Sequence, residues 1–327
     1  MLVKKTEIAY CVYFDKGFLL KALAMHASLI RFDPEAKLWI LALDEYTEKI
    51  LKKLKLKGVT VVPLSEFEDK ELLTVKDTRS MVEYYWTCSP SWPLYILKRN
   101  PRLKYITYLD GDLYFFSLAF EGASEIGTGS LLAVEHRFPK GQEVLARRNG
   151  RFNLAFNVFK NDKEGIECLE RWRKQCLDWC YWKPEKGKMG DQGYLDEWPG
   201  RYKKLVISKN IGLDVAPWNV SQYRVSRSGD NILINNKRLI CYHFHQFQIL
   251  GRKAFNRVLG YTLSKNVVEY IYKPYEIEIE KQYEKIMTVD SKFEINFPVQ
   301  TTKQVIKQNL AKYFGPLYWR LITVLHG

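Results

Sequence analysis

The chain has 327 residues, of which 46% are hydrophobic, so it is long enough for one large domain with a substantial core, or for a domain with an appendage. No apolar run reaches the length of a membrane span, and the N-terminus lacks a signal-peptide pattern. The six cysteines are scattered singly, which argues against a disulfide framework or a zinc site and favours reduced thiols in a cytosol. The formal net charge of +14 favours anionic partners, namely nucleotides, phosphorylated lipids or nucleic acid.

The first part of the chain alternates strands and helices. Apolar runs predict strands at residues 8–14, 37–43 and 59–63, and helical spacing predicts helices at 18–31 and 48–57, the second stopped by Gly58. This alternation is typical of βαβ units, which build a mostly parallel sheet flanked by helices. Ligands of such sheets bind beyond the carboxyl ends of the strands, which is where we expect Tyr13 and Asp44 to lie.

The strongest single signal is a pair of aspartates at the end of a buried strand. Residues 105–109 are mostly β-branched or aromatic, and they run into Asp110-Gly111-Asp112 and then into a second apolar stretch. Two carboxylates cannot lie in apolar surroundings without a counter-charge, and Mg²⁺ and Mn²⁺ prefer such hard oxygen ligands. We therefore expect a divalent-cation site, with a solvated acidic turn as the alternative. Gly111 would let the backbone approach a diphosphate.

The second half of the chain adds two polar motifs. We predict a mostly helical crossover at 76–100 with breaks at Pro90 and Pro93, strands at 130–135, 150–159 and 239–244, and a helix at 164–181. Asp191 follows Gly190 and could simply cap the short helix after it. The late strand ends in His243-Phe244-His245, and alternation places both histidines on one face. A structural role for this pair is the alternative to a functional one.

The pattern changes after residue 260, and we predict two domains, at 1–260 and 261–327. The second is expected to be a helical, basic tail. Residues 301–327 carry Lys303, Lys307, Lys312 and Arg320, no acidic residue, and several aromatic and aliphatic side chains. This combination is typical of a segment that lies in a membrane interface, and packing against the first domain is the alternative.

Four motifs resemble, in their order, bacterial glycosyltransferases of family 8 with the GT-A fold. They are Asp110-Gly111-Asp112, Phe152-Asn153-Leu154-Ala155, Gly190-Asp191-Gln192 and His243-Phe244-His245, and the resemblance covers roughly residues 6–255. The phrase Ala216-Pro217-Trp218-Asn219 is also similar to a subgroup of uncharacterised cell-surface glycosyltransferases. The resemblance implies a GT-A (Rossmann-like) α/β fold, with a mixed, mostly parallel sheet flanked by helices, and a nucleotide-diphosphate sugar as donor.

The resemblance also implies residue roles. The implied metal ligands are Asp110, Asp112 and His243, with Mn²⁺ or Mg²⁺ as the cofactor. The implied contacts to nucleotide, diphosphate and sugar are Tyr10, Cys11, Tyr13, Asp110, Asn153 and His245. The implied catalytic residues, beside the reacting sugar carbon, are Asp191 and Gln192.

Three positions depart from the family pattern. Ala155 replaces a common glycine, and Trp86 stands where an arginine is frequent. The Lys-Pro-Trp sequence that follows the family's histidine is missing, so Arg252 or Lys253 is expected to contact phosphate instead. These departures concern the diphosphate and sugar contacts.

The sequence therefore predicts a metal-dependent glycosyltransferase, with retention of configuration implied by family 8. It would move a sugar, with a UDP-sugar as the first choice of donor, to a glycan or lipid-linked acceptor in cell-surface polysaccharide biosynthesis. The expected location is the cytoplasm or the cytoplasmic face of the inner membrane. A sugar nucleotidyltransferase is one alternative, although residues 8–20 contain only Gly17 where that class needs a glycine-rich basic loop. A basic nucleic-acid-binding protein is another, although the basic residues are dispersed and no such motif occurs, so we expect no nucleic-acid partner.

Overall fold

The computed structural model of the protein describes residues 3–142, 145–146, 149–183, 185 and 188–294. The strands are β1 (Ile8–Phe14), β2 (Leu38–Ala42), β3 (Val59–Pro63), β4 (Tyr105–Leu109), β5 (Leu113–Phe115), β6 (Leu131–Glu135), β7 (Phe152–Lys160), β8 (Leu205–Ile207), β9 (Val225–Ser228), β10 (Asn231–Ile234), β11 (Lys237–Arg238), β12 (Cys241–His243), β13 (Gln248–Gly251) and β14 (Ala254–Asn256). The helices are α1 (Leu19–Phe32), α2 (Glu45–Leu54), α3 (Leu64–Phe67), α4 (Lys70–Lys76), α5 (Met81–Arg99), α6 (Ala119–Ala123), α7 (Lys163–Asp178), α8 (Trp198–Arg201), α9 (Lys265–Val267) and α10 (Lys273–Met287). Short 3₁₀ turns lie at Lys5–Glu7, Ser124–Ile126, Gln192–Glu197 and Val220–Gln222, and a π-helical turn spans Val268–Tyr272.

A seven-stranded mixed sheet forms the centre of the molecule, in the order β3-β2-β1-β4-β7-β6-β8. The strands β3, β2, β1 and β4 run parallel to one another, whereas β7 is antiparallel to both β4 and β6. The predicted α/β class and mostly parallel sheet are confirmed. Because β4 is flanked by β1 and β7 and buried along its whole length, the residues that follow it are fixed by the core of the sheet.

Both faces of the sheet are covered, because alternate residues of each strand point to opposite sides. In β1, Tyr10 and Val12 pack in one apolar cluster and Ala9 and Cys11 in the other. The helices α1 and α10 cover the first face, and α5 and α7 cover the second. All six cysteines are free and buried within these layers.

Two predicted helix boundaries are wrong. The helix α2 ends at Leu54 rather than at Gly58, because Lys55 already adopts the left-handed backbone conformation with φ 45°. Gly58 instead turns the chain close to Ala36, whose carbonyl oxygen would lie 2.3 Å from a Cβ at this position. The second error is in α5, which continues through Pro90 and Pro93 without a break. A proline removes one backbone donor inside a helix, and the packing of α5 against α7 and the sheet holds this helix together.

A small two-stranded sheet brings the late part of the chain to the end of β4. The strand β12 pairs antiparallel with β5, so that His243 lies opposite Leu113. Behind this pair, Phe244 stacks on Tyr275 of α10 with ring centroids 3.7 Å apart, and Tyr242 contacts Tyr272. The position of His243 therefore depends on contacts made by the helices after residue 264.

Of the helices from residue 265 onward, α9 contacts β9 of the small three-stranded sheet, and α10 lies on α1. Arg31 of α1 donates to Glu278 of α10 at 2.8 Å. In the described part of the chain, no helix combines the length and apolar character needed to cross a bilayer. The predicted interfacial segment at 301–327 lies outside the described residues, and the division of the chain at residue 260 stays a prediction.

Candidate metal and sugar-donor site

Asp110 and Asp112 lie on a tight turn between β4 and β5. The backbone N–H of Asp110 donates to Ala155 at 3.0 Å, and the N–H of Leu113 donates back to Asp110 at 3.3 Å. A Cβ on Gly111 would touch Ala22 and Phe18 at 3.5 and 3.7 Å. The turn therefore packs against the first turn of α1, and both carboxylates are held at the carboxyl end of the central strand.

His243 completes a cluster with the two carboxylates. Its Nε2 lies 3.2 Å from Asp112 Oδ1 and 3.9 Å from Asp110 Oδ2. One ligand atom from each of the three residues falls within 4.8 Å of the others. Two carboxylate oxygens and one imidazole nitrogen form a donor set that suits Mn²⁺ or Mg²⁺. The residues present therefore fit a divalent cation, although their role as ligands stays a prediction.

The charges in this cluster influence one another strongly. Burial raises the pKa of Asp110 to about 7, and the neighbouring carboxylates of Asp112 and Asp191 also raise it. Burial also disfavours the charged form of Asp112, but His243 outweighs this effect and holds the pKa of Asp112 below its usual range. Burial alone would lower the pKa of His243, yet the Asp112 carboxylate raises it well above its usual value. The two carboxylates therefore favour a positive charge at this position.

Lys21 is a buried lysine whose amine is influenced by the charge of Asp112. It belongs to the first turns of α1 and is only 9% exposed. Its Nζ lies 4.5 Å from the centroid of the Phe18 ring. Burial lowers the pKa of Lys21, and the charge of Asp112 partly reverses this effect. Sequence analysis missed this residue because a single lysine on an amphipathic helix is ordinarily a surface group.

Asp191 lies close enough to Asp110 for its charge to raise the pKa of that carboxyl. It occupies the N-cap position of the 3₁₀ turn that follows, but its side chain makes no capping hydrogen bond of ordinary geometry to N2 or N3 of that turn. Instead Asp191 Oδ2 accepts a hydrogen bond from Ser89 Oγ, and Ser89 Oγ is 2.7 Å from the hydroxyl of Tyr13. Burial raises the pKa of Asp191 to about 6. Ser89, which sequence analysis missed, therefore joins Asp191 to the end of β1.

Gln192 and Asn153 are engaged by the backbone of β7. Gln192 Oε1 accepts from the N–H of Leu154 at 3.0 Å, and its Nε2 donates to the carbonyl of Asn149 at 2.9 Å. Asn153 Oδ1 accepts from the N–H of Ala155 at 2.8 Å. Gln192 therefore fixes the loop that carries Asp191 to the strand beside Asp110, whereas this bond of Asn153 lies within β7.

The remaining predicted contacts fall into two groups. Tyr10 and Cys11 are buried in the two core layers and are 2% and 0% exposed, and their contact with the nucleotide stays a prediction. Tyr13, at the end of β1, lies within 5.9 Å of Tyr108, measured between ring centroids. His245 lies beside His243 at 5.8 Å, and burial lowers its pKa to about 4. The expected placement of both histidines on one face agrees with this geometry.

The two cations expected to contact phosphate are paired elsewhere. Arg252 forms an ion pair with Glu284, and Lys253 Nζ lies 3.9 Å from Glu280. Both glutamates belong to α10. Trp86 stacks on Trp182 with centroids 5.2 Å apart, and its ring lies 3.1 Å from the position of a Cβ on Gly190. The large ring at position 86 thus supports the turn before Asp191.

Comparisons with known proteins identify relatives along most of the chain. The uncharacterised protein YfnF of Bacillus subtilis (strain 168) is 33% identical over 294 residues, which cover 87% of this chain and 96% of YfnF. The uncharacterised protein YfnD of the same strain is 30% identical over 286 residues, which cover 86% of this chain and 92% of YfnD. The chain belongs to the YfnF and YfnD family. No model of a described protein family matches it.

Solved structures identify the fold of this YfnF and YfnD family member. An active-site mutant of LgtC aligns with 84% of this chain and 95% of its own at a TM-score of 0.51 and 12% identity. The apo form of the glycosyltransferase GlyE from Streptococcus pneumoniae TIGR4 aligns with 85% of this chain and 63% of its own at a TM-score of 0.50 and 13% identity. At such low identity the likeness concerns the fold alone. The predicted GT-A fold of nucleotide-sugar glycosyltransferases is confirmed.

Asp214 and His136 are further polar residues next to the cluster that sequence analysis missed. Asp214 is fully buried and lies behind His243, with Asp214 Oδ1 3.5 Å from His243 Nδ1. His136 Nδ1 is 3.0 Å from the carbonyl of Gly150, and burial lowers its pKa to about 4. Neither residue stands in a recognisable motif, because only the folding of distant segments brings them to the cluster.

Proposed function

We propose that this protein is a metal-dependent glycosyltransferase that uses a nucleotide-diphosphate sugar, with a UDP-sugar as the first candidate donor. The observation that carries the proposal is the cluster of Asp110, Asp112 and His243 at the carboxyl end of β4. Ligands of open α/β sheets bind at this edge. The acceptor class that we propose is a glycan or a lipid-linked sugar, in the synthesis of a cell-surface polysaccharide.

Transfer of a sugar leaves a diphosphate whose developing negative charge must be stabilised. A divalent cation supplies Lewis acidity for this step when it is bound. Within the chain, Asp110, Asp112 and His243 would hold it. Lys21 supplies a further positive charge beside Asp112, in a buried setting where a charge acts strongly. We assign the phosphate contact to this amine, because Arg252 and Lys253 are paired with Glu284 and Glu280.

Asp191 is the residue that we assign to the sugar carbon. The transition state of glycosyl transfer carries positive charge on that carbon, and a carboxylate stabilises it. Asp191 is buried, is held by Ser89, and is close enough to raise the pKa of Asp110. Gln192 anchors the same loop through the backbone of Leu154 and Asn149, so we now assign it a positioning role. The resemblance to family 8 supports retention of configuration.

The test is nucleotide release from a panel of UDP- and GDP-sugars, with and without Mn²⁺, using the full-length chain. We expect the nucleotide to be released from at least one sugar in a reaction that depends on Mn²⁺. In Asp112→Asn, calorimetry with UDP and Mn²⁺ should detect no metal-dependent binding, because the most strongly ionised ligand is lost. Circular dichroism should remain that of a folded protein.

Asp230→Asn is the matched control, because Asp230 lies in the turn between β9 and β10 and is fully exposed. It removes the same charge and should bind UDP and Mn²⁺ as the parent does. If Asp112→Asn is folded and binds UDP with Mn²⁺ as tightly as Asp230→Asn, the metal assignment is wrong. Release of pyrophosphate in place of a nucleoside diphosphate would instead point to a nucleotidyltransferase.

We also propose a peripheral contact with anionic membranes at the cytoplasmic face. The support comes from the sequence of residues 301–327, which combine four cationic side chains and aromatic residues without an acid. Such segments bind anionic headgroups with about 1 kcal/mol for each cation near the surface. A lipid-linked acceptor would then be met at the surface where it is held.

A further inference from the structure

A buried carboxylate behind the cluster, that of Asp214, lacks a hydrogen-bond partner among the residues that the structure describes. Asp214 is 0% exposed, and neither of its carboxylate oxygens has a hydrogen-bond partner in the described part of the chain. A buried ionised carboxylate without a partner is costly. The position also requires a left-handed backbone, with φ 54°. A carboxyl group in such surroundings is expected to have a polar partner close by.

The nearest candidate donor is the imidazole of His243. Its Nδ1 is also buried without a hydrogen-bond partner among the described residues, and it lies 3.5 Å from Asp214 Oδ1. The other ring nitrogen, Nε2, faces Asp112 at 3.2 Å. The ring thus lies between two carboxylates, with the cluster on one side and Asp214 on the other.

The backbone of Asp214 is fixed from several directions. Its N–H donates to Cys241 Sγ at 3.4 Å, and its carbonyl accepts from Arg137 Nη2 at 2.9 Å and from Asn219 Nδ2 at 3.3 Å. The guanidinium of Arg137 also donates to the carbonyls of Asn210 and Leu213. The carboxylate therefore has little freedom to move away from His243.

We infer that Asp214 is a positioning residue that accepts the Nδ1–H of His243, fixes the tautomer with its lone pair on Nε2, and so directs that nitrogen at the cation. The inference rests on the proposed function. In metal sites, a histidine ligand that donates its second N–H to a carboxylate is oriented and made more basic, and loss of such a partner typically lowers metal affinity 10–100-fold. Asp214 itself does not contact the cation or the substrate.

The first test uses Mn²⁺ alone, without nucleotide, and follows free Mn²⁺ by electron paramagnetic resonance. Asp214→Asn keeps the size of the side chain and removes its charge, so we expect Mn²⁺ affinity to fall about 10–100-fold. Cys241→Ala is the matched control, because Cys241 is equally buried and contacts the backbone of Asp214 but not the imidazole. It should bind Mn²⁺ as the parent does.

The second test needs no substitution at position 214. The chain has five histidines, so selective ¹⁵N labelling gives a tractable NMR spectrum, in which His243→Gln assigns the signal. In the Mg²⁺-loaded parent, His243 should carry its proton on Nδ1. A proton on Nε2, or equal Mn²⁺ affinity in Asp214→Asn and Cys241→Ala, overturns the role of Asp214. If the parent chain binds no Mn²⁺, the metal site itself is wrong, and this result is distinguishable from a failure of the role of Asp214.

Discussion

For Asp191 the sequence offers two interpretations, a helix cap and a catalytic carboxylate. A helix cap needs an oxygen that accepts from the backbone of the next turn, and Asp191 offers its carboxylate to Ser89 instead. Burial raises its pKa to about 6, so the ionised form that we assign to catalysis prevails only above that pH. The environment of this carboxylate therefore sets a lower pH limit for the proposed reaction.

We predict that kcat falls as the pH drops below about 6, because Asp191 is then protonated. Asp191→Asn should lower kcat by orders of magnitude and abolish this acid limb, while UDP affinity changes little. The measurement is kcat between pH 5 and 8, with UDP affinity determined in parallel. Asp162→Ala is the control, because Asp162 caps α7 through the N–H of Gly165 and alanine removes that cap. It should lose stability but keep its turnover per folded molecule.

The same pKa also has a consequence for stability. The folded state raises the pKa of Asp191 above its ordinary value of 3.8, so folding favours the protonated carboxyl. This contribution to the free energy of unfolding is complete below about pH 3.8 and is lost as the pH rises through about 6. The loss of stability between pH 5 and pH 8 should therefore be smaller in Asp191→Asn than in the parent, as measured by urea unfolding. An identical loss in both would show that folding does not raise the pKa of Asp191.

Among individual residues, the sequence indicated those whose neighbours in the chain form a recognisable pattern. Asp110 and Asp112 follow a buried strand directly, and His243 ends an alternating strand, so each could be found from its neighbours. Lys21 and Asp214 could not, because their importance comes from burial beside residues far away in the chain. Tyr10 and Cys11 were assigned by resemblance alone, and their side chains lie in the core.

Among the strands and helices, β12 matters most for the cluster, because it places His243 beside the carboxylates. Its approach is guided by Gly212, whose carbonyl accepts from the N–H of Ile240 at 2.7 Å. A Cβ on Gly212 would lie 2.0 Å from the carbonyl oxygen of Arg238. No side chain fits there unless the backbone moves, and the backbone that moves is the one that leads into β12.

We predict that Gly212→Ala destabilises the protein by about 1–3 kcal/mol, as expected for overpacking, and also weakens Mn²⁺ binding. Urea unfolding and Mn²⁺ titration measure the two effects. Gly200→Ala is the control, because no atom lies within 4 Å of a Cβ at that position. It should change neither quantity appreciably. Unchanged Mn²⁺ affinity in a destabilised Gly212→Ala would mean that the path into β12 does not position His243.

The sequence predicted the elements of the sheet better than their ends and their pairing. Strands β1 to β4 and β7 were recognised from apolar runs, because burial on both faces leaves such a run. The continuous α5 was not, because Pro90 and Pro93 are locally unfavourable in a helix and only tertiary packing compensates for them. The pairing of β5 with β12 joins segments that are far apart in the sequence, so no local pattern reports it.

The whole molecule carries a formal net charge of +14, and the location of that charge matters more than its sum. Many described cations are paired, such as Arg257 with Glu276 and Arg173 with Asp69. Residues 301–327, beyond the described part of the chain, contain four cationic residues and no acidic residue. An anionic surface would therefore act on that segment more strongly than on the rest of the chain.

We predict that the full-length chain sediments with anionic liposomes, that it does not with neutral ones, and that high salt weakens the association by screening. Replacement of the four tail cations at 303, 307, 312 and 320 with Gln should remove most of the binding. The control replaces Lys70, Lys183, Lys203 and Lys237, which are exposed on the described surface, and so changes the net charge equally. Equal binding by the two variants would exclude a specific role of the tail.

The six buried thiols allow the frequency of local unfolding in this protein to be measured. A thiol must reach solvent before it can react with a soluble disulfide dye, so each labelling rate reports how often its surroundings open. Cys11 lies in the central strand β1 and reports rupture of the whole sheet, whereas Cys241 lies in β12. If Cys241 reacts faster than Cys11, the strand that carries His243 opens by itself, and the ratio of the two rates gives the difference between the free energies of the two openings.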